Sequence, residues 1–211
     1  MRVMKVQGKG HATMEPDMVI LAFDVESTAK EYEESVRDLN TRADDLRESM
    51  AASGLDKARL KTTSFNVRVE TEYKNRQYVF AGYKATHKMQ IEVPMDKALL
   101  NKVLRHVAQG HNGAQINLTF SVNDKDALRR MVLIHAVQIA RENAETLAEA
   151  AGVKLGKLMQ MDYGWTEVRI FEGEACMIAE GTEDMSAYDA DIDPEDVAAE
   201  DSVTLVFEIT E

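Results

Sequence analysis

The feature that most constrains the fold is a long alternation of apolar and polar residues over residues 79–93. Every second position there is apolar or histidine: Val79, Ala81, Tyr83, Ala85, His87, Met89, Ile91 and Val93. An alternation of period two predicts a β-strand with one buried face. Residues 65–73 alternate in the same way, and the polar residues 74–77 separate the two stretches. The sequence therefore predicts a long antiparallel hairpin.

The rest of the chain carries shorter strand patterns and three helical patterns. Strands are predicted over 3–8, 18–28, 114–122, 157–170 and 202–210. Apolar residues at spacings of three and four predict helices from Tyr32 to Met50, over 96–109 and over 125–151. The order is ββαββ-αβαββ. Because the strands are polar on one face and the helices have one apolar stripe, we expect an α+β fold of antiparallel sheets covered on one face by helices.

The chain length favours one domain. A chain of 211 residues can bury a core without metal or disulfide cross-links, and it lies in the size range of a single large domain. We expect one domain over 1–211, built from two packed halves at about 1–93 and 94–211. The alanines of the third helix would let another backbone approach it closely.

Several short motifs together resemble a known family. Gly8-Lys9-Gly10 closes the first predicted strand, and Pro16-Asp17 leads into the next. Gly82-Tyr83-Lys84-Ala85 lies on the returning hairpin strand, and Pro194-Glu195-Asp196-Val197 precedes the last strand. With the Ala136, Ala140 and Ala144 helix, these resemble the SIMPL-domain family over nearly the whole chain. The resemblance implies an α+β fold without an agreed biochemical activity. Members of this family include ring-like oligomers, and a eukaryotic branch resembles an adaptor for a signalling kinase. The resemblance therefore implies assembly or partner binding.

The net charge of −12 comes from one segment. Residues 172–201 hold twelve acidic residues and no lysine or arginine, whereas the rest of the chain holds 25 of each sign. This distribution lacks the basic surface of a nucleic-acid-binding protein. Because the segment has no sustained periodicity, we expect a long, flexible acidic loop before the last strand.

The acidic segment suggests a weak cation site. Asp189, Asp191, Asp193 and Glu200 stand at positions one, three, five and twelve of an EF-hand calcium loop. The sixth position, however, is Pro194 where an EF-hand requires glycine for a sharp turn. The alternative function is therefore a protein that binds a cation, such as weakly bound Ca²⁺, or a small ligand through the acidic loop over 172–201. A solvated acidic loop that binds nothing also stays open.

No motif supports catalysis or a cofactor. The single Cys176 lies among glutamates, which disfavour a reactive thiolate. No two histidines have the spacing of a helical zinc site. His87 fits a hydrogen-bonded core histidine better than its alternative, a pocket residue. We therefore expect a non-enzymatic protein without a cofactor.

The hairpin tip carries the best candidate for an interface. Tyr73, Tyr78 and Phe80 cluster around the predicted turn, and aromatic residues are enriched in interface cores. The alternative is that these rings pack on the helices of the same chain. The leading hypothesis is a SIMPL-domain protein that acts by self-assembly or by binding a protein partner.

The sequence shows neither the pattern of a signal peptide nor that of a membrane span. Met1-Arg2 leads straight into a strand pattern without the apolar stretch of a signal peptide, and no segment reaches the roughly 18 apolar residues of a membrane span. We expect a cytoplasmic protein without a membrane span. The alternative is an exported protein whose signal peptide has been removed.

Overall fold

A computed structural model of the protein describes residues 2–74, 76–164, 168–178 and 192–211. The α-helices are α1 (Tyr32–Ala52), α2 (Lys97–Gln109) and α3 (Lys125–Ala150). The strands are β1 (Arg2–Met14), β2 (Met18–Ala29), β3 (Lys61–Lys74), β4 (Gln77–Pro94), β5 (Gln115–Ser121), β6 (Lys154–Asp162), β7 (Arg169–Phe171), β8 (Gly173–Ile178) and β9 (Val197–Thr210). A short 3₁₀ helix (Lys57–Arg59) precedes β3. These elements confirm the predicted α+β fold with antiparallel sheets.

The chain forms two compact units that interleave along the sequence. One comprises residues 17–121 and 174–194, and the other comprises residues 1–16, 122–173 and 195–211. Each unit therefore draws residues from both of the halves expected from the sequence.

The unit of residues 17–121 and 174–194 contains a sheet in the order β3-β4-β2-β5-β8. The central strand β2 pairs antiparallel with β4 on one side and with β5 on the other. Its alternate residues Val19, Leu21, Phe23 and Val25 are fully buried, in one core with Leu39 and Leu46 of α1 and Leu100 and Val103 of α2. Both helices thus cover the same face of this sheet, as the alternation predicts.

The other unit contains a sheet in the order β1-β9-β6, with β7 also paired to β9. Helix α3 packs on β1 and β9 through a buried stripe of small and branched residues: Leu128, Val132, Ala136, Ala140, Ala144 and Ala148. The predicted close approach at the alanines is confirmed, since a Cβ added at Gly8 would lie 2.1 Å from the backbone oxygen of Ala136.

The same contact corrects the predicted end of the first strand. Gly8 and Gly10 were expected to close a strand at residue 8, but β1 continues through both glycines to Met14. A Cβ at Gly10 would lie 2.1 Å from the backbone oxygen of Val132. The glycines are therefore explained by the proximity of α3, because only glycine leaves room for a backbone this close.

The predicted acidic loop over 172–201 is wrong at both of its ends. Strand β8 occupies Gly173–Ile178, and β9 begins at Val197 rather than at residue 202. Val197 and Ala199 are fully buried, so core burial explains why the last strand starts early. Residues 179–191, the middle of the predicted loop, lie outside the described residues.

Within the described residues, no helix is both long and apolar enough to cross a membrane.

Candidate interaction surface

Strand β3 forms one edge of its sheet. It pairs with β4 from Lys61↔Gln90 to Lys74↔Gln77, and no other described strand pairs with it. Twelve of its fourteen residues are exposed, and Val67 and Glu70 are half-buried. A strand in this position presents a row of backbone N–H and C=O groups that can pair with another chain.

One face of the β3–β4 hairpin is mainly apolar from Phe65 to Tyr73, with Thr71 as its polar member. Phe65, Val67 and Val69 lie opposite His87, Ala85 and Tyr83 of β4, and residues directly opposite in a sheet share a face. Ala85 and His87 are buried, and Val67 packs against the core of the unit. Beyond Val67 the same face is exposed: Val69 is 55% exposed. The apolar face of the hairpin therefore continues past the part that the helices cover.

The predicted interface residues lie together at the end of this face. The rings of Tyr73 and Tyr78 are 5.1 Å apart, and those of Phe80 and Tyr83 are 5.3 Å apart. Tyr78 is 76% exposed, and Tyr73 and Phe80 are more than half exposed. The rings contact each other within these two pairs but remain accessible, so packing on the helices of the same chain does not cover them.

Two contributors to the surface were missed by the sequence analysis. Tyr32, the first residue of α1, packs edge-on against Tyr83 at 5.7 Å and is itself half exposed. Phe65 is exposed at the other end of β3, beside His87. The alternation at Phe65 was visible in the sequence, but nothing in it showed that this part of the strand lies at an edge.

The opposite face of β3 is charged. Arg68 and Glu70 form an ion pair with Nε and Oε2 3.6 Å apart, and Lys74 Nζ lies 2.6 Å from Glu72 Oε2. The side chains of Arg68, Glu72 and Lys74 are more than half exposed, and that of Glu70 is 39% exposed. Solvent therefore screens both pairs, and they contribute little to stability within one chain. Their order along the strand, however, determines which other strand could pair with β3.

The sheet edges of the other unit are less open. At β1, the side chain of His135 lies against the outer backbone, with its Nδ1 3.2 Å from the His11 nitrogen and 2.7 Å from the His11 oxygen. At β6, the pairing with β9 shifts register between Leu155 and Leu158 and again between Leu158 and Gln160. Capped and irregular edges resist pairing with another strand. With fourteen residues, β3 is also longer than the described edge strands β1, β6 and β8.

His87 joins β3 to β4 at the base of the surface. Its ring is buried, its Nε2 shares a hydrogen bond of 2.8 Å with Thr62 Oγ1, and it packs against Phe65 at 5.4 Å. Its Nδ1 is buried and has no hydrogen-bond partner among the described residues. Burial lowers the pKa of His87 below 6.5, and the positive charge of Arg47 lowers that pKa further. These contacts support the core histidine expected from the sequence.

The predicted cation ligands are only partly described. Asp189 and Asp191 lie outside the described residues. Asp193 Oδ1 lies 3.6 Å from Lys97 Nζ, and Glu200, on β9, has its Oε2 2.6 Å from Lys9 Nζ. The hydrogen bond from Lys9 lowers the pKa of Glu200. No described group of three or more His, Cys, Asp or Glu residues could hold a metal ion, and the Ca²⁺ site stays a prediction.

Fold and surface together define a class: an α+β protein with two helix-covered antiparallel sheets, one of which has an open aromatic edge. The family model of SIMPL, described as a protein of unknown function (DUF541), matches residues 4–207. The chain therefore belongs to the SIMPL family, as its motifs suggested.

Curated relatives agree with this assignment. The chain is 31% identical over 164 residues to the 26 kDa periplasmic immunogenic protein of Brucella melitensis, and 30% identical to the protein of that name in Brucella abortus. Both matches cover 74% of this chain and 64% of the relative. The uncharacterized protein YggE of Edwardsiella ictaluri is 24% identical, over 70% of this chain and 62% of the relative. The matches thus span less than two thirds of these relatives.

Proposed function

We propose that this SIMPL protein acts without catalysis, by assembling with other protein chains through the β3–β4 hairpin. The observation that carries the proposal is the exposed aromatic group of Tyr73, Tyr78 and Phe80, placed beside an open strand edge. Self-assembly is the form of the proposal that we test first, and binding of a different protein is the alternative.

The energetics favour covering this surface. Burying an exposed aromatic side chain contributes about 2 kcal/mol at roughly 25 cal/mol per Å². Contiguous exposed apolar surface on a soluble protein commonly marks an interaction site. Several neighbouring exposed rings therefore supply apolar surface that an interface can bury.

We also propose that the protein is exported. The two Brucella relatives carry the word periplasmic in their names, and these names favour the exported alternative over the cytoplasmic expectation. Fractionation of cells that express the complete gene tests this proposal, which predicts the protein in the exported fraction. Retention in the cytoplasmic fraction would contradict it.

Mutation of the aromatic group tests assembly. The wild-type chain should have a mass in solution that is a multiple of 23.6 kDa, and Tyr78→Ala with Phe80→Ala should reduce it, because both side chains are largely exposed before assembly. A matched control is Ile134→Ala with Leu147→Ala, which removes two apolar side chains of α3 that are also more than half exposed.

The masses of the two double variants decide between a local and a general effect. If only the Tyr78/Phe80 variant becomes smaller, the hairpin is the interface. An unchanged mass of that variant, or an equal reduction in the α3 control, would count against the proposal. A wild-type chain that is monomeric would exclude self-assembly.

A further inference from the structure

We propose that the hairpin binds a second copy of the same chain, and that the two β3 strands pair antiparallel in a register centred on Val69. This inference rests on the proposed function, and it specifies the partner and the contact. Its evidence is the uninterrupted length of β3, the order of charges along it and the position of its aromatic residues.

The regular part of β3 has Val69 at its centre. The pairing with β4 shifts register between Thr62 and Ser64, where β3 contains the extra residue Thr63. The second shift, between Glu70 and Thr71, leaves the extra residue in β4, at Ala81. Strand β3 itself is therefore continuous from Ser64 to Lys74. Val69 is the midpoint of that segment. With a two-fold axis at Val69, every residue from Ser64 to Lys74 lies opposite a residue of the same segment in the second chain.

The charges favour this register. With Val69 opposite its own copy, Arg68 of each chain lies opposite Glu70 of the other, so two attractive pairs form at the centre. Neither Glu72 nor Lys74 meets a charged residue, because Asn66 and Ser64 lie opposite them.

Neighbouring registers of the two β3 strands have less favourable charge pairing. An axis at Arg68 places the two Arg68 residues opposite each other and forms no attractive pair. An axis at Glu70 forms two Arg68–Glu72 pairs but also places the two Glu70 residues opposite each other. An axis at Thr71 sets Glu70 opposite Glu72 and Arg68 opposite Lys74. An axis at Val67 forms no charge pair at all. Like charges directly opposite destabilise a strand pair, which leaves the Val69 register as the most complementary.

The apolar face follows the same symmetry. In the Val69 register, Phe65 lies opposite Tyr73 of the second copy and Val67 lies opposite its Thr71. Residues directly opposite share a face of the sheet, so the exposed apolar faces of the two hairpins become continuous. The pairing of aromatic residues across strands adds to the contact, and the open edge of β3 disappears in both chains.

Charge reversal tests the register. Arg68→Glu alone should weaken association at least about tenfold, because two attractive pairs become two repulsive ones. Glu70→Arg alone should do the same. The double variant Arg68→Glu with Glu70→Arg restores both pairs with exchanged signs, so its mass should return to the wild-type value. Glu72→Arg is the matched control, since it faces Asn66 and should leave the mass unchanged.

Disulfide trapping gives an independent readout. In a Cys176→Ser background, Val69→Cys should form a disulfide-linked dimer on mild oxidation, because directly opposite Cα atoms lie about 4.5–5.5 Å apart. Thr71→Cys is the control, since its two copies would be about 14 Å apart along the strands.

The outcomes separate the register from the proposed function. If Tyr78→Ala with Phe80→Ala reduces the mass but the double charge reversal fails to restore association, the hairpin assembles in another way and the Val69 register is wrong. Equal trapping of the Val69 and Thr71 cysteines would also overturn it. If neither the aromatic variant nor the charge variants change the mass, both proposals fail.

Discussion

The close packing of β1 against α3 predicts a large effect from a single methyl group. In Gly8→Ala the new Cβ would lie 2.1 Å from the Ala136 oxygen and 2.4 Å from the Ala140 nitrogen, whereas ordinary contacts begin at 3.4 Å. Both neighbours are backbone atoms of α3, so no side-chain rotation can relieve the overlap. Either β1 or α3 must shift by about 1 Å, and overpacking of this kind costs typically 1–3 kcal/mol, with more where backbone must move.

We therefore expect Gly8→Ala to lower the free energy of unfolding by about 3 kcal/mol. Urea unfolding followed by circular dichroism measures this loss as a midpoint lower by about 1–3 M, at a slope of about 1–3 kcal/mol per M. Gly152→Ala is the control for backbone strain without overlap. No atom lies within 4 Å of a Cβ added at Gly152, but its φ of +68° is unfavourable for any residue with a side chain. That variant should lose only about 1–2 kcal/mol. A Gly8→Ala protein as stable as the Gly152→Ala control would refute the packing argument.

Two further predictions concern pH and calcium. Folding lowers the pKa of His87 below 6.5, so the unfolded state binds more protons as the pH falls through 6.5, and the stability of the protein should decrease there. Urea midpoints measured from pH 7.5 to 5 should show this decrease in the wild type and lack it in His87→Gln. An unchanged pH dependence in His87→Gln would contradict the prediction. If the acidic segment binds Ca²⁺, millimolar calcium should raise the melting temperature of the wild type, but not that of Asp189→Asn with Asp191→Asn. An equal melting temperature with and without calcium would exclude this alternative function.

The sequence predicted the central strands because burial of one strand face leaves an alternation of apolar and polar residues along the strand itself. Strand β4 alternates regularly from Ala85 to Val93, and a strand that has helices on one face must alternate. The prediction that Val79 and Ala81 share this buried face was wrong, because the extra residue at Ala81 shifts the register. Strand β2 alternates in the same way as β4, and its Leu21 and Phe23 lie in the core. The alanine stripe of α3 likewise predicted a close neighbour, since small side chains allow one.

Other features depended on contacts between distant parts of the chain. Gly8 and Gly10 suggested a strand end because glycine is unfavourable within strands, yet α3 requires them there. The acidic residues Glu200 and Asp201 concealed the start of β9, although its buried positions alternate from Val197. The tip aromatic Tyr78 could be proposed from the sequence, but its exposure could not, because alternation does not show how far the helices reach.

The most direct test of assembly through β3 is the absolute mass of the chain in solution, measured by light scattering on a sizing column. We predict a discrete multiple of 23.6 kDa for the wild type, a smaller particle for Arg68→Glu, and recovery in Arg68→Glu with Glu70→Arg. A wild-type chain that elutes as a 23.6 kDa monomer at every concentration would contradict the account.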